Sequence, residues 1–262
     1  MKKLIYQVAI GPQTNLYDYC TNSAEEYAKR IGADYIKQTQ PILRIAPNPF
    51  MNEREGKTGG WKKLGYMPIF EKENVFNYFG RYDQCCVIDA DIYVKPDSPD
   101  IFDELDSNYA VGSVYEADLP ITDIYANKIR NYSNMLKLFP LDWEYHNRTG
   151  YHFFNSGVML YNSSNMIKAL KGMDAKQFLE QSALADFING KGPLKWQSDQ
   201  ITLNYWFKRN NVEVKKLDWK WNALYSAVTD DKIKDCYFAH FFLRDHLPNK
   251  GENVEEIISY VK

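Results

Sequence analysis

Cys85-Cys86-Val87-Ile88-Asp89-Ala90-Asp91-Ile92-Tyr93-Val94 runs from apolar residues into two carboxylates and out again. An apolar run of this length, rich in β-branched and aromatic residues, predicts a buried strand. Asp89 and Asp91 are two apart, so an extended backbone turns both side chains to one face. Two carboxylates so placed repel, and one must hold a proton unless a cation neutralises them. At 4 Å and an effective dielectric of about 20, a divalent ion attracts each by roughly 8 kcal/mol before desolvation. Oxygen ligands suit Mg²⁺ or Mn²⁺. The alternative is that one Asp caps the next element and the other is solvated.

Outward from this stretch, the composition is that of a soluble globular chain. Of 262 residues, 45% are hydrophobic and 25% charged, enough for one large domain or two small ones. The net charge of −2 leaves no electrostatic footprint for nucleic acid. The aromatic fraction is high, 15% with 20 Tyr; such residues contact bases and sugars or simply fill a core. The first apolar run, residues 4–10, is stopped by Gly11-Pro12, too soon for a signal peptide or a membrane span. Cys20, Cys85, Cys86 and Cys236 show no metal-type spacing and read as reduced, structural thiols of a cytoplasmic protein.

Residues 3–10 predict a strand, 16–31 a helix ended by Gly32, and 34–39 a second strand. This β-α-β opening argues for a parallel sheet with helices on its faces. Residues 41–60 are irregular and carry Arg44, Arg54 and Lys57; long loops of this kind are commonly functional. Residues 61–79 read as a helix broken or kinked at Pro68. Further strands are expected at 109–115, 151–161, 212–217 and 236–242. Helices are expected at 98–105, 166–170, 175–188, 198–209 and 253–261. There is no repeat and no linker, so a single domain over 1–262 is expected.

Three further stretches carry polar groups in apolar surroundings. Asn155-Ser156-Gly157 interrupts a strand; buried polar groups need partners, and Gly permits a close approach there or marks a β-bulge. Asp199-Gln200 opens a helix, as a ligand contact or as a cap. His240 lies in Tyr237-Phe238-Ala239-His240-Phe241-Phe242, either as a hydrogen-bonded core residue or as a third ligand beside the carboxylates. Lys62, Lys63, Arg244 and His246 are the nearby cations able to meet a phosphate or to remain solvated.

Taken together these motifs carry a resemblance. Val87–Val94 resembles the Asp-x-Asp strand of the nucleotide-sugar-dependent GT-A glycosyltransferases. Phe154-Asn155-Ser156-Gly157-Val158-Met159-Leu160 is similar to the Phe-Asn-x-Gly-Val-x-Leu strand of their family 8, the glycogenin and lipopolysaccharide galactosyltransferase-like group. Asp199-Gln200 with Leu203-Asn204 resembles that group's Asp-Gln-x-x-Leu-Asn helix, and His240 fits its late metal-binding His. The four occur in the family's order and span most of the chain.

The resemblance implies an α/β fold, Rossmann-like, with a mostly parallel central sheet flanked by helices. A nucleotide-binding half would cover about 1–115, an acceptor-binding half about 116–250, and a terminal helix 253–261. It implies a hexosyltransferase-like enzyme in which Asp89, Asp91 and His240 hold Mn²⁺ (or Mg²⁺). A nucleotide sugar, in this family usually a UDP-sugar, would be met by Ala9, Ile10, Gly11, Tyr17, Lys63, Ala90, Gly157 and His246. Asn155, Asp199 and Gln200 would surround the transferred sugar. Transfer would retain the anomeric configuration, to a glycan, a lipid-linked sugar or a protein. Where the family continues His-x-x-Gly-x-x-Lys, this chain has Leu243 and His246, so either Arg244 or His246 would substitute or the phosphate grip would differ. The family's opening Asp-x-Asn-Tyr is absent. Two other classes compete. An aspartyl-phosphate phosphohydrolase needs Asp-x-Asp on the first strand, which has none. A non-catalytic nucleotide-sugar-binding protein would explain the missing Gly and Lys.

Overall fold

The computed structural model describes residues 1–11, 14–55, 61–242 and 244–262, Arg244 by its backbone alone. Lys57 and Leu243 therefore lie outside the described residues, as do Pro12, Gln13 and the Arg244 side chain.

The strands are β1 (Lys3–Val8), β2 (Asp34–Gln38), β3 (Gln84–Ile88), β4 (Ile92–Val94), β5 (Val111–Tyr115), β6 (Tyr145–His146), β7 (Gly150–Tyr151), β8 (Phe154–Asn162), β9 (Val214–Lys216), β10 (Ala223–Leu224) and β11 (Phe238–His240). The helices are α1 (Asn15–Arg30), α2 (Trp61–Leu64), α3 (Asp123–Ser133), α4 (Ser163–Leu170), α5 (Ala175–Leu179), α6 (Ala185–Asn189), α7 (Asp199–Arg209) and α8 (Val254–Ser259). None of the described helices is long and apolar enough to cross a membrane.

The central sheet has six strands in the order β2-β1-β3-β8-β5-β9. β1 runs parallel to β2 and β3, and β5 parallel to β9; β8 runs antiparallel to both its neighbours. Burial on both faces explains the unbroken apolar runs of β1 and β3. Thr14 caps α1, its hydroxyl accepting the Tyr17 N–H at 3.2 Å, and the helix buries Leu16, Cys20, Ala24, Tyr27 and Ala28. A fully buried leucine such as Leu16 contributes about 1.5–3 kcal/mol. Lys29 and Arg30 occupy the last turn, suiting the negative end of the helix dipole. All four cysteines are buried free thiols.

Three expectations are corrected. The stretch 85–94 is not one strand. β3 ends at Ile88, and a turn closed by the Ile92 N–H on the Asp89 carbonyl (3.1 Å) sends the chain into a second, three-stranded sheet, β10-β11-β4. The carboxylates thus sit on a turn between two sheets and tied to both: the Asp89 N–H donates to the Gly157 carbonyl at 2.8 Å, and the Asp91 carbonyl accepts the Phe241 N–H at 2.9 Å. Nor do residues 61–79 form a helix. α2 is a single turn, followed by 3₁₀ turns at Pro68–Phe70 and Lys72–Tyr78. Pro68 supplies no N–H and blocks continuation, and the Glu71 carboxyl accepts the backbone N–H groups of Ile42 and Leu43 (2.8 and 3.0 Å) and of Arg44 (2.7 Å). That contact orders the start of the long loop. Its later part is tied down by buried Arg54, which donates to the carbonyls of Phe187, Ile188 and Gln197. The expected 175–188 helix is likewise two short helices, α5 and α6, with a 3₁₀ turn between them.

β8 pairs regularly with β3, but against β5 its register shifts between Ser113↔Met159 and Tyr115↔Phe154. The extra residues bulge at positions 155–158. The Ser113 hydroxyl lies 2.8 Å from the Asn155 carbonyl and 2.9 Å from that of Val158, plugging the gap in the ladder. A bulge re-aims side chains out of the sheet, and here it turns Asn155 and Ser156 toward the carboxylates.

Candidate active site

A cleft of about 590 Å³ opens at the carboxyl ends of β1 and β3. The chain leaves β1 outward to β2 and later returns to β3 on β1's other side. Crevices of open α/β sheets form at such a switch point. One wall is Val8, Ala9, Ile10 and Tyr17 with Pro68 and Ile69; the floor is Asp89-Ala90-Asp91 with Lys72 and His240; the far wall is Asn155, Ser156, Ser198, Asp199 and Gln200, with Phe242 beside it.

Asp89, Asp91 and His240 bring one ligand atom each within 4.8 Å of the others. His240 Nε2 is 3.3 Å from Asp91 Oδ1 and 3.9 Å from Asp89 Oδ2. The imidazole is held from behind. Its Nδ1 is 2.9 Å from Asn222 Oδ1, and the Asn222 amide donates to Asn155 Oδ1 at 2.8 Å. With that donation fixing the Asn222 amide, its oxygen faces the ring, so Nδ1 carries a proton and Nε2 is left to bind the cluster. The donor set, two carboxylates and an imidazole whose free nitrogen faces them, fits Mn²⁺ or Mg²⁺.

Lys72 Nζ lies between Asp89 Oδ1 (2.9 Å) and Asp199 Oδ2 (2.8 Å), joining the carboxylate turn to the first turn of α7. Burial disfavours its ammonium, but Asp199 and Asp89 outweigh burial and hold its pKa above the ordinary lysine value. Burial pushes the Asp89 carboxyl up, with Lys72 opposing. Burial acts upward on Asp91 too, yet the His240 charge and hydrogen bond leave it below the usual range. His240 itself is raised: burial lowers it, and Asp91 and then Asp89 overcome that. Without a divalent ion, Lys72 and the His240 ring are the partners that the protein itself offers these carboxylates.

Around the far wall runs a second network. Glu116 Oε1 accepts from Asn155 Nδ2 (2.9 Å) and Gln200 Nε2 (3.2 Å), and Gln200 Oε1 accepts the Ser156 N–H at 3.1 Å. Burial raises the Glu116 carboxyl, against the hydrogen bonds of Asn155 and Gln200. α7 is oriented by Ser198, whose hydroxyl accepts the Gln200 N–H, and by Asn204, which bonds the backbone of Phe154 in both directions at 3.0 Å.

Solved structures match this chain along nearly its whole length. A glycosyltransferase involved in the glycosylation of the major capsid of PBCV-1 matches with a TM-score of 0.56 at 15% identity, covering 99% of this chain and 100% of that one. The galactosyltransferase LgtC, solved with donor and acceptor sugar analogs, matches with 0.56 at 14%, covering 98% and 95%. The chain has the GT-A fold. GlyE of Streptococcus pneumoniae TIGR4 matches at a TM-score of 0.50 and 13% identity, over 99% of this chain and 60% of its own. At such identities the likeness is one of fold. No protein-family model and no curated protein matches the sequence.

Within this GT-A cleft the structure gathers Ala9, Ile10, Tyr17, Asp89, Ala90, Asp91, Asn155, Asp199, Gln200 and His240. Others fall elsewhere. Lys63 is exposed on α2, off the cleft wall, and the lysine in the site is Lys72. His246 is exposed in a 3₁₀ turn away from the wall. Gly11, at φ 110°, turns the chain just past Ile10 and does not line the cleft. Gly157 does permit a close approach, but of a side chain: a Cβ there would stand 2.6 Å from His240 Cε1 and 2.7 Å from Nδ1. Lys72, Glu116 and Asn222 were not read from the sequence. Glu116 had a signal, a carboxylate at the end of a buried strand, the same pattern that marks Asp89 after β3. Lys72 and Asn222 sit in 3₁₀ turns, whose spacing has no strong apolar period to place them.

Proposed function

We propose that this chain is a metal-dependent glycosyltransferase that moves a sugar from a nucleotide-sugar donor, of the UDP-sugar class, to a hydroxyl acceptor with retention. The observation that carries the reading is the juxtaposition, in one cleft, of the Asp89/Asp91/His240 cluster and the amide and carboxyl wall of Asn155, Asp199 and Gln200. The GT-A fold supports it.

In this reading the strip from Val8 to Ile10 meets the base, with Tyr17 stacking on it. Asp89, Asp91 and His240 hold Mn²⁺ or Mg²⁺, which when bound supplies Lewis-acid stabilisation of charge on the diphosphate. Lys72 neutralises Asp89 and Asp199 at 2.9 and 2.8 Å, so that both keep fixed positions beside the donor. Asn155 and Gln200 are clamped by Glu116 and present preorganised dipoles to the sugar as it becomes oxocarbenium-like. Gln200 is a neutral amide and a poor nucleophile, and one lone pair of its oxygen is already taken by the Ser156 N–H. Front-face attack follows: the bond from the anomeric carbon to the diphosphate oxygen breaks, the bond to the acceptor oxygen forms on the same face, and the acceptor's proton passes to the diphosphate.

A donor screen tests the whole reading. A UDP-sugar with Mn²⁺ is expected to raise the melting temperature, since ligand at 100 times its Kd adds about 2.7 kcal/mol, and to be consumed with an acceptor or, slowly, with water. Stabilisation without turnover reduces the protein to a binding module. No shift with any nucleotide sugar overturns the proposal.

A further inference from the structure

A second cluster of metal-ligating side chains lies outside the cleft, on the hairpin β6–β7. Glu144 and His146 are two apart and so share a face. His152 stands across from Glu144, its N–H bonded to the Glu144 carbonyl at 2.8 Å. One carboxylate spans both rings: Glu144 Oε1 is 3.1 Å from His146 Nε2, and Oε2 is 3.1 Å from His152 Nδ1. The rings stack with centroids 3.9 Å apart. One ligand atom from each residue falls within 4.8 Å of the other two. Ligands at about 2.0–2.1 Å from a tetrahedral ion are ~3.3 Å from one another, and the two carboxylate–imidazole distances already match that edge.

The contacts around His152 Nδ1 are in conflict. The atom faces an acceptor, the Glu144 carboxylate, and also a donor, Lys216 Nζ at 3.4 Å. A single ring nitrogen cannot donate to the first and accept from the second. A cation between Glu144 and the two rings takes a lone pair from each and removes the conflict at Nδ1. Lys216 is half exposed and has Asp118 at 3.9 Å to retreat to.

We propose that Glu144, His146 and His152 form a divalent-metal site of the Zn²⁺ type, two imidazoles and a carboxylate with water in the fourth position, that staples the hairpin. Two nitrogens and one oxygen favour Zn²⁺ over Mg²⁺ or Ca²⁺, so this site differs in preference from the carboxylate-rich cleft.

The test is titration of the full-length protein with ZnCl₂ against a chromophoric chelator. The wild type is expected to bind one zinc equivalent that survives His240→Ala and is lost in His146→Ala. Because His146 is exposed, that variant keeps its fold, which circular dichroism checks. Affinity at this site should fall about 100-fold or more, since losing even a residue that only orients a ligand costs ~10–100-fold. Lys216→Met should tighten the same equivalent, by removing the competing ammonium. Equal zinc binding by wild type and His146→Ala, or loss of all zinc in His240→Ala, overturns the proposal.

Discussion

The molecule carries two clusters of histidine and carboxylate, and they are built differently. At the cleft, His240 is gripped from behind by Asn222, which is gripped by Asn155, which is gripped by Glu116. Every ring and amide there has one orientation. On the hairpin, Glu144 spans both histidines, Lys216 also reaches His152, and among the described residues His146 Nε2 is bonded to that exposed carboxylate alone. The contrast separates a site whose geometry is enforced by the core from one assembled by strand pairing and spacing. The first should be sensitive to residues that never touch its ligand. The second should be sensitive to its own three side chains and to Lys216 beside them.

The largest expected effect is at the cleft. Asp89→Asn should lower donor turnover by about 10³-fold, comparable to losing a main electrostatic contact of a transition state, and excess chelator should do the same to the wild type. A turnover assay with and without Mn²⁺ decides; full activity in chelator removes the cleft cluster from the chemistry. Next is Lys72→Met, which leaves Asp89 and Asp199 without their shared cation. Breaking a buried pair costs about 3–5 kcal/mol, read as a shift of the urea midpoint. A shift under ~1 kcal/mol would mean that the ion pair is already solvent-screened.

Asn222→Ala sharpens the comparison most directly. It leaves all three cleft ligands in place and frees the ring. Mn²⁺ affinity is expected to drop about 10–100-fold while the hairpin's zinc affinity is unchanged. Unchanged Mn²⁺ binding would show that the packing of Gly157 and Phe242 against the ring is enough to orient it.

These effects rest on features that differ in how visible they are in the sequence. The Asp-x-Asp, Asn-Ser-Gly, Asp-Gln and His240 motifs stand out because each is polar in an apolar run, and burial on a sheet gives such runs a clear pattern. The β-α-β opening and the strand positions follow from the same pattern. What the pattern hides is the turn at Asp89–Ile92: a strand that changes sheets looks identical to a strand that continues. The 3₁₀ segment at Lys72–Tyr78 is hidden for another reason. Its buried Asn74 answers to distant strands, donating to Tyr6 on β1 and Gln38 on β2, so no local period betrays it. Gly157 was legible as a place of close approach, but not which group approaches.

The pH response is a smaller effect. His240 has a raised pKa, so in metal-free protein its proton stabilises the fold in full below the unfolded value of about 6.5, and that contribution is lost as pH rises through the folded value. Mn²⁺ competes for the same nitrogen. Its affinity should therefore begin to weaken at a pH above 6.5 and fall about tenfold per unit below that, measured by titration across pH 5.5–8.5. A flat profile would show that the ring coordinates nothing. Smallest of all is His146→Ala in metal-free protein, expected within about 0.5 kcal/mol of wild type by thermal melting because the residue is exposed. A larger loss would mean that the stacked rings stabilise the hairpin without any ion.

Gly157 and His240 belong to different sheets, β8 in the central one and β11 in the small one, and the ring occupies the space a Cβ would need. The two positions are therefore bound as a lock is to its key. Any side chain at 157 must displace the imidazole, and any larger group at 240 must displace the strand. Substitution at either is tolerable only with a compensating change at the other. In a lineage of this protein, the pair should be inherited together or lost together.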